Sequence, residues 1–273
     1  MKLADIIKNN FSQIIALTEK DLKVSTRLKI PLLLSFISPV LGIIMPLIIM
    51  GKIFSFNEEL GPWNAGNFLV YQFTATNISL LLQLTRVFSG RFKEEKYWET
   101  LAALIIAPFH RVNLLLGIFI SHIIITSIPF TIFFILCYIF YPISIITVIF
   151  VLFTYFLIAL IFSGIGLMLG IFAISRENTL GILSFIISLF FMFSCIAYPF
   201  EVFPEFVQNF VIFNPFFHVF LFLRMLWIDD NVMLTLSLYP IQFLFIVGFA
   251  TIGPIIGIII FNKIYNKYGI VGY

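Results

Sequence analysis

Gln72, Thr76, Ser79 and Gln83 recur at i, i+4, i+7 and i+11 inside an otherwise apolar stretch. That spacing sets four polar side chains on one face of an α-helix. Amides and hydroxyls of this kind can bind and guide a molecule, but a hydroxyl needs an adjacent base to become a nucleophile. A second apolar run repeats the theme, with Gly181, Ser184, Ser188 and Cys195 at i, i+3, i+7 and i+14. A polar stripe is expensive against hydrocarbon, so it faces a partner helix or a wet path. The chemistry these stripes suggest is passage, with Gln72, Thr76, Ser79, Gln83, Ser184 and Ser188 as the expected lining.

Catalysis finds no such support. The chain has no G-x-x-x-x-G-K-[ST] phosphate loop and no recognisable hydrolase motif. His110, His122 and His218 lie far apart without H-x-x-x-H spacing, so no metal set is expected. No catalytic, cofactor-binding or metal-ligating residue is therefore assigned. Asp, Glu, Lys and Arg are also missing from the middle of every apolar run. Proton- and ion-coupled transporters depend on such intramembrane groups. Energy for transport is thus expected to enter from outside the membrane.

The elements that must carry these stripes can be read from composition. Of 273 residues, 61% are hydrophobic and 11% charged, with a mean hydropathy of +1.11. That excess of apolar surface suits a bilayer and not water. Runs long enough to span, about 20 residues each, fall near 31–50, 67–88, 112–138, 143–175, 179–200 and 238–262. The expected class is an all-α integral membrane protein with six transmembrane helices. With the N-terminus inside, 14 of the 16 Lys and Arg residues fall on the cytoplasmic side and only Lys52 and Arg224 on the other. This asymmetry places both termini in the cytoplasm of a multi-pass protein of the cell membrane. The basic excess reads as contact with anionic membrane lipids, with no nucleic-acid partner.

Residues 1–30 form the first unit, an interfacial helix. Ile7, Phe11, Ile14, Thr18 and Leu22 make its mostly apolar stripe, flanked by Lys8, Lys20, Lys23 and Arg27. Residues 31–273 form the six-span domain. Trp63, Trp98 and Trp227 lie off the runs, where interfacial tryptophans belong. Ala159, Ser163, Gly166, Gly170 and Ala173 make a small-residue stripe suited to close helix packing. Cys137 and Cys195 are expected to be free thiols. The stretch 201–227 is apolar but is broken by Pro204 and Asn214-Pro215. It reads as two short helices that dip into the outer leaflet and return.

The cytoplasmic segment 89–111 carries the sharpest pattern. Glu94, Glu95, Tyr97, Trp98, Thr100, Leu101, Leu104 and Pro108 combine an acidic start, an apolar face and a proline stop. Here the chain resembles the type-2 ABC exporter permeases, whose loop after the second span has an acidic residue, Gly-Thr-Leu-Glu, an apolar stretch and Pro. Glu95, Thr100, Leu101 and Pro108 match; Glu99 stands where Gly is usual and Ala102 where Glu is usual. Pro199, Pro204, Asn214-Pro215 and Arg224 resemble the family's paired outer helices. The resemblance implies a permease that moves a drug-like or lipid-like compound out of the cytoplasm or inner leaflet. It also implies a second permease subunit, as homo- or heterodimer, and a separate cytoplasmic ABC ATPase that holds the ATP and Mg and docks on residues 94–108. A polysaccharide or glycolipid exporter is the alternative within the family. A membrane-embedded enzyme or a non-transporting assembly protein is the alternative outside it.

Overall fold

The computed structural model describes residues 3–56, 59–100, 110–175 and 177–268. Eleven helices are seen among these: α1 (Leu3–Arg27), α2 (Lys29–Phe56), α3 (Phe68–Leu82), α4 (Leu84–Tyr97), α5 (Arg111–Phe140), α6 (Ile145–Ser175), α7 (Glu177–Met192), α8 (Glu205–Ile212), α9 (Pro215–Asp229), α10 (Val232–Leu238) and α11 (Pro240–Tyr268). The class is all-α, and the protein crosses a membrane several times. The described residues add one two-residue hairpin to the expected outer loop, with β1 (Glu59–Leu60) antiparallel to β2 (Trp63–Asn64) and Gly61 at φ 61° in the turn.

Four helices are long and apolar enough to cross alone, within Leu32–Phe56, Arg111–Phe140, Ile145–Ala173 and Pro240–Lys263. The runs expected at 67–88 and 179–200 are carried differently. Helix α3 has 15 residues, about 22 Å at 1.5 Å per residue, and a turn at Gln83 separates it from α4. Helix α7 has 16 residues and ends at Met192, so Cys195 lies beyond it.

Helix α6 is the hub, packed against α4 and α11. Its small residues make this possible. Gly166 and Gly170 admit Leu84, Phe88 and Phe92 of α4, and Gly164 lies against Gly253 and Pro254 of α11. A Cβ at Gly164 would stand 2.5 Å from the Gly253 carbonyl carbon. The stripe expected for helix packing serves that role, with Gly166 and Gly170 against α4.

The bent pair near the C-terminus begins as the sequence suggests. Asn214 caps α9 by accepting from Phe216 N at 3.0 Å, with Pro215 in the first turn. Helices α8 and α9 meet at 91°. Phe220, Phe222, Leu223, Leu226 and Trp227 of α9 are fully buried, so this element is packed on protein.

Three expectations change. Trp63 and Trp227 are buried, and Trp227 Nε1 donates to Tyr141 O at 3.1 Å; only Trp98 is exposed. Arg224, expected on the outer side within the paired short helices, lies in the core at 2% exposure. The α1 stripe is divided: Phe11 is exposed, whereas Thr18 is buried and turned towards the protein. The side chain of Ile7 lies outside the described residues.

The end of α4 accounts for one departure from the family motif. Glu99 N donates to Lys96 O at 3.2 Å and Thr100 N to Glu95 O at 3.0 Å. This is the bond pair that closes a helix through a left-handed residue, usually Gly. Glu99 takes that position at φ 57°, where a side chain costs about 1 kcal/mol relative to Gly. Glu99→Gly is therefore expected to stabilise the turn by about that amount, read as a small rise in melting temperature. A lower melting temperature would show that the Glu99 side chain makes a compensating contact.

Candidate functional site

Helix α3 is buried on most of its surface, from Val70 to Leu81. Among its residues only Ser79 is exposed. Gln72, Thr76, Ser79 and Gln83 all line a single cleft of about 270 Å³ facing Ser38, Pro39, Gly42 and Pro46 of α2. Proline and glycine at those α2 positions leave little side chain to fill the space. Thr76 Oγ1 donates back to Gln72 O at 2.9 Å, while Ser79 is the exposed member. The cleft ends at Ile196 and Ala197, and Gln72 Nε2 donates to Ala197 O at 3.3 Å.

That end is held by charge. Arg224 Nη1 donates to Cys195 O at 2.7 Å and Nη2 to Ile196 O at 2.6 Å. Its guanidinium carbon lies 3.6 Å from the centre of the Tyr71 ring. Tyr71 Oη lies within hydrogen-bond reach of the same Cys195 carbonyl and of Tyr198 O at 2.7 Å, which share its single hydroxyl hydrogen. Cys195 has φ 56°. The irregular backbone after α7 thus has its carbonyls satisfied by two side chains from neighbouring helices, as backbone removed from water requires.

Ser184 and Ser188 are not brought to this cleft. Both lie on α7, which presents Ile182, Phe185 and Phe190 outward, and Ser188 Oγ donates to Ser184 O at 2.8 Å. Cys137 and Cys195 are buried free thiols.

At the other end, α1 and α4 are tied together. Arg91 Nε meets Asp21 Oδ1 at 3.0 Å, and Nη1 meets Glu94 Oε2 at 2.8 Å. Arg91 Nη2 donates to Ser25 Oγ, and Ser121 Oγ of α5 donates to Asp21 Oδ2. Lys20 Nζ pairs with Glu95 Oε1 at 2.5 Å. Asn113 Nδ2 of α5 donates to Gln13 Oε1 at 2.7 Å and Asn10 Oδ1 at 3.1 Å. Burial pushes the Asp21 carboxyl up, against the pull of Arg91 and Ser121. Of the expected coupling residues, Glu94 and Glu95 belong to this network, and Thr100 caps α4 by donating from its N at 3.0 Å and Oγ1 at 3.3 Å to Glu95 O. Tyr97 and Trp98 are exposed at 85% and 46%. Leu101, Leu104 and Pro108 lie outside the described residues.

The network was not foreseen, yet its signal is in the sequence. Asn10, Gln13, Asp21 and Ser25 share one helical face of α1, and Asn113, Gly117 and Ser121 share one of α5. Gly117 is the close approach: a Cβ there would meet Leu17.

A family model described as ABC-2 type transporter matches residues 12–227, well over half of the chain. The chain belongs to the ABC-2 type transporter family. It is a transmembrane permease component of an ABC transporter, and membership implies association with an ABC ATPase subunit. The match takes in α1 from Ser12, the α3 cleft, the α1–α4 network and the bent pair. No curated protein matches the chain in a sequence search.

Proposed function

We propose that this ABC-2 permease exports a hydrophobic or amphiphilic compound, drug-like or lipid-like, from the cytoplasm or inner leaflet. A second permease subunit completes the path and a separate ATPase supplies the energy. The observation that carries this reading is the cleft in which Gln72, Thr76, Ser79 and Gln83 face α2. It is half of a channel: the rest of α2 exposes Ile37, Val40, Leu41, Ile44 and Ile48, and α7 exposes its own apolar face with Ser184 and Ser188. Paired across a two-fold axis, α2 and α7 of one subunit would cover those of the other.

Replacing Gln72 and Gln83 by Leu removes both amides without opening a void. The double variant is expected to lose at least tenfold in transport and in substrate-stimulated ATP hydrolysis while keeping its fold. Full activity would make the stripe a packing feature only. Gln72→Leu alone also removes the bond to Ala197, so Gln83→Leu is the cleaner single change.

Residues 94–108 are the proposed docking element for the ATPase. Exposed Tyr97 and Trp98 follow a helix whose preceding turns are pinned to α1 and α6, and a pinned helix can transmit a push. Truncating a buried interface anchor typically costs more than about 1 kcal/mol, and a buried carboxylate costs more. Leu101→Asp and Leu104→Asp are thus expected to abolish recovery of the ATPase in a pull-down, with membrane insertion intact. Wild-type recovery would place the docking surface elsewhere.

A further inference from the structure

Beside the α3 cleft lies a second one, of about 260 Å³, bounded by α1, α2, α4 and α5. Its polar wall is Asp21, Ser25, Gln83, Arg91, Glu94 and His122. We propose that it binds the protonated amine of an amphiphile, with the tail lying along the apolar surface of α2. The proposal deepens the export reading by giving the ligand a charge, and it rests on that reading only for the steps after binding.

The sign of the charge comes from the ion pairs. Two carboxylates face one guanidinium, which leaves the wall one negative charge in excess when His122 is neutral. Each nitrogen of Arg91 already faces a partner, Nε Asp21, Nη1 Glu94 and Nη2 Ser25, so its charge is met by two carboxylates although two of its five N–H groups remain. Lys20, the next cation, is engaged by Glu95 at 2.5 Å. An anion would meet the excess of carboxylate, whereas an ammonium group would offset it. His122 Nε2 is buried without a hydrogen-bond partner. Such an atom calls for one, and a neutral imidazole nitrogen can accept from an N–H. Phe36 lies in the same wall and offers a ring face to a cation.

Size and surroundings fit an amphiphile. The cleft takes a head group and the first carbons of a chain, not a whole lipid. Leu28 and Leu32 continue its wall, and Leu33, Leu34 and Ile37 extend the apolar surface of α2 beyond it. Gln83 lines both clefts, so an amine held here sits at the foot of the polar stripe.

The test is photolabelling of the full chain in nanodiscs of phosphatidylcholine and phosphatidylglycerol. Hexadecylamine with a diazirine in its chain is the probe, and palmitic acid with the same diazirine the control. The amine is expected to label peptides covering residues 28–36 or 122–129 at least tenfold above the acid. Losing one charge-assisted hydrogen bond should weaken this about tenfold in Glu94→Gln and, with the acceptor removed, several-fold in His122→Phe. Phosphatidylethanolamine added to the disc competes if the natural ligand is a lipid head group; only added dodecylamine competes if it is a free amine. Equal labelling by the acid probe, labelling confined to other peptides, labelling that neither competitor reduces, or labelling unchanged in both variants each overturns the proposal. The probe comparison needs no variant to fold. Neither ATPase nor transport enters the assay, so failure of the export reading would appear separately, in the pull-down and transport experiments.

Discussion

Arg224→Leu is expected to destabilise the protein strongly, by about 2–5 kcal/mol, from a buried carbonyl left unpaired at about 1–3 kcal/mol and a lost cation–π contact of about 1–2 kcal/mol. Arg224 is 2% exposed, and its two terminal nitrogens hold consecutive carbonyls, Cys195 and Ile196, at 2.7 and 2.6 Å. Leucine matches part of the volume and none of the donors. Both carbonyls would then depend on what remains: Tyr71 still reaches Cys195, but nothing described replaces the bond to Ile196. The Tyr71 ring also loses the cation on its face, worth about 1–2 kcal/mol when desolvated. Cys195 in its left-handed conformation persists only while its surroundings fix it. Arg224→Lys should fall between wild type and leucine, because an ammonium is a point charge and cannot serve two carbonyls and a ring as a planar fork does. Thermal unfolding of the purified protein measures the loss. Hydrogen exchange over residues 193–203 locates it, with faster exchange expected there than in α5. An unchanged melting temperature in Arg224→Leu would mean that the bend is held by apolar packing alone.

The class of the fold was legible because it rests on long signals. Apolar runs of span length and charges gathered at their ends do not depend on any single contact. Asn214-Pro215 was legible for another reason: a cap followed by a helix-starting proline is a local instruction, and α9 begins there. The four-residue polar stripe was legible as a periodicity, and the structure sets all four residues on one cleft. Its supposed counterpart on α7 is not brought to that cleft within one chain, since Ser184 and Ser188 are not among its lining residues. Periodicity says that residues share a face, but the packing of the helix decides what that face meets.

The errors share a cause. Arg224 sits in an interrupted apolar segment, and a lone basic residue there counts as an outer-side charge; its burial depends on carbonyls 28 and 29 residues away, which no local pattern reports. Trp63 and Trp227 were misplaced likewise, because tryptophan off a run is as suited to a protein cap as to a headgroup layer. The α1 network failed to show because its apolar stripe drew the reading. Asn10, Gln13, Asp21 and Ser25 flank and partly overlap that stripe, and their partners lie about 70 to 100 residues further on.

Arg91→Ala should release α1 from α4 and leave Asp21 without its cation. Asp21 and Arg91 have side chains 14% and 18% exposed, so their pairing is sheltered, though less than in a dry core. The expected loss is about 2–4 kcal/mol, reduced by this partial exposure from the roughly 3–5 kcal/mol of a fully buried pair. Asp21→Asn should be milder. Burial is the largest influence on Asp21 and raises its pKa, so a neutral side chain suits the site better than an unpaired anion, and an amide can still meet Ser121. The same fact sets the pH dependence. With the folded pKa raised, the stability Asp21 contributes is present at acid pH and is lost as pH rises through the raised value. Asp21→Asn should flatten that slope, with Arg91, Lys20 and Glu94 as the other charged groups facing the site. Lys20→Ala is the surface control: Lys20 is 45% exposed, and pairs of that kind contribute about 0–1 kcal/mol. A double-mutant cycle on Asp21 and Arg91 isolates their coupling, and hydrogen exchange over residues 10–25 reports whether α1 stays docked. If Arg91→Ala left both the melting temperature and the α1 protection at wild-type values, α1 would be held by Leu17 against Gly117 and the Asn113 bonds, and the charge cluster would be free to serve a ligand alone.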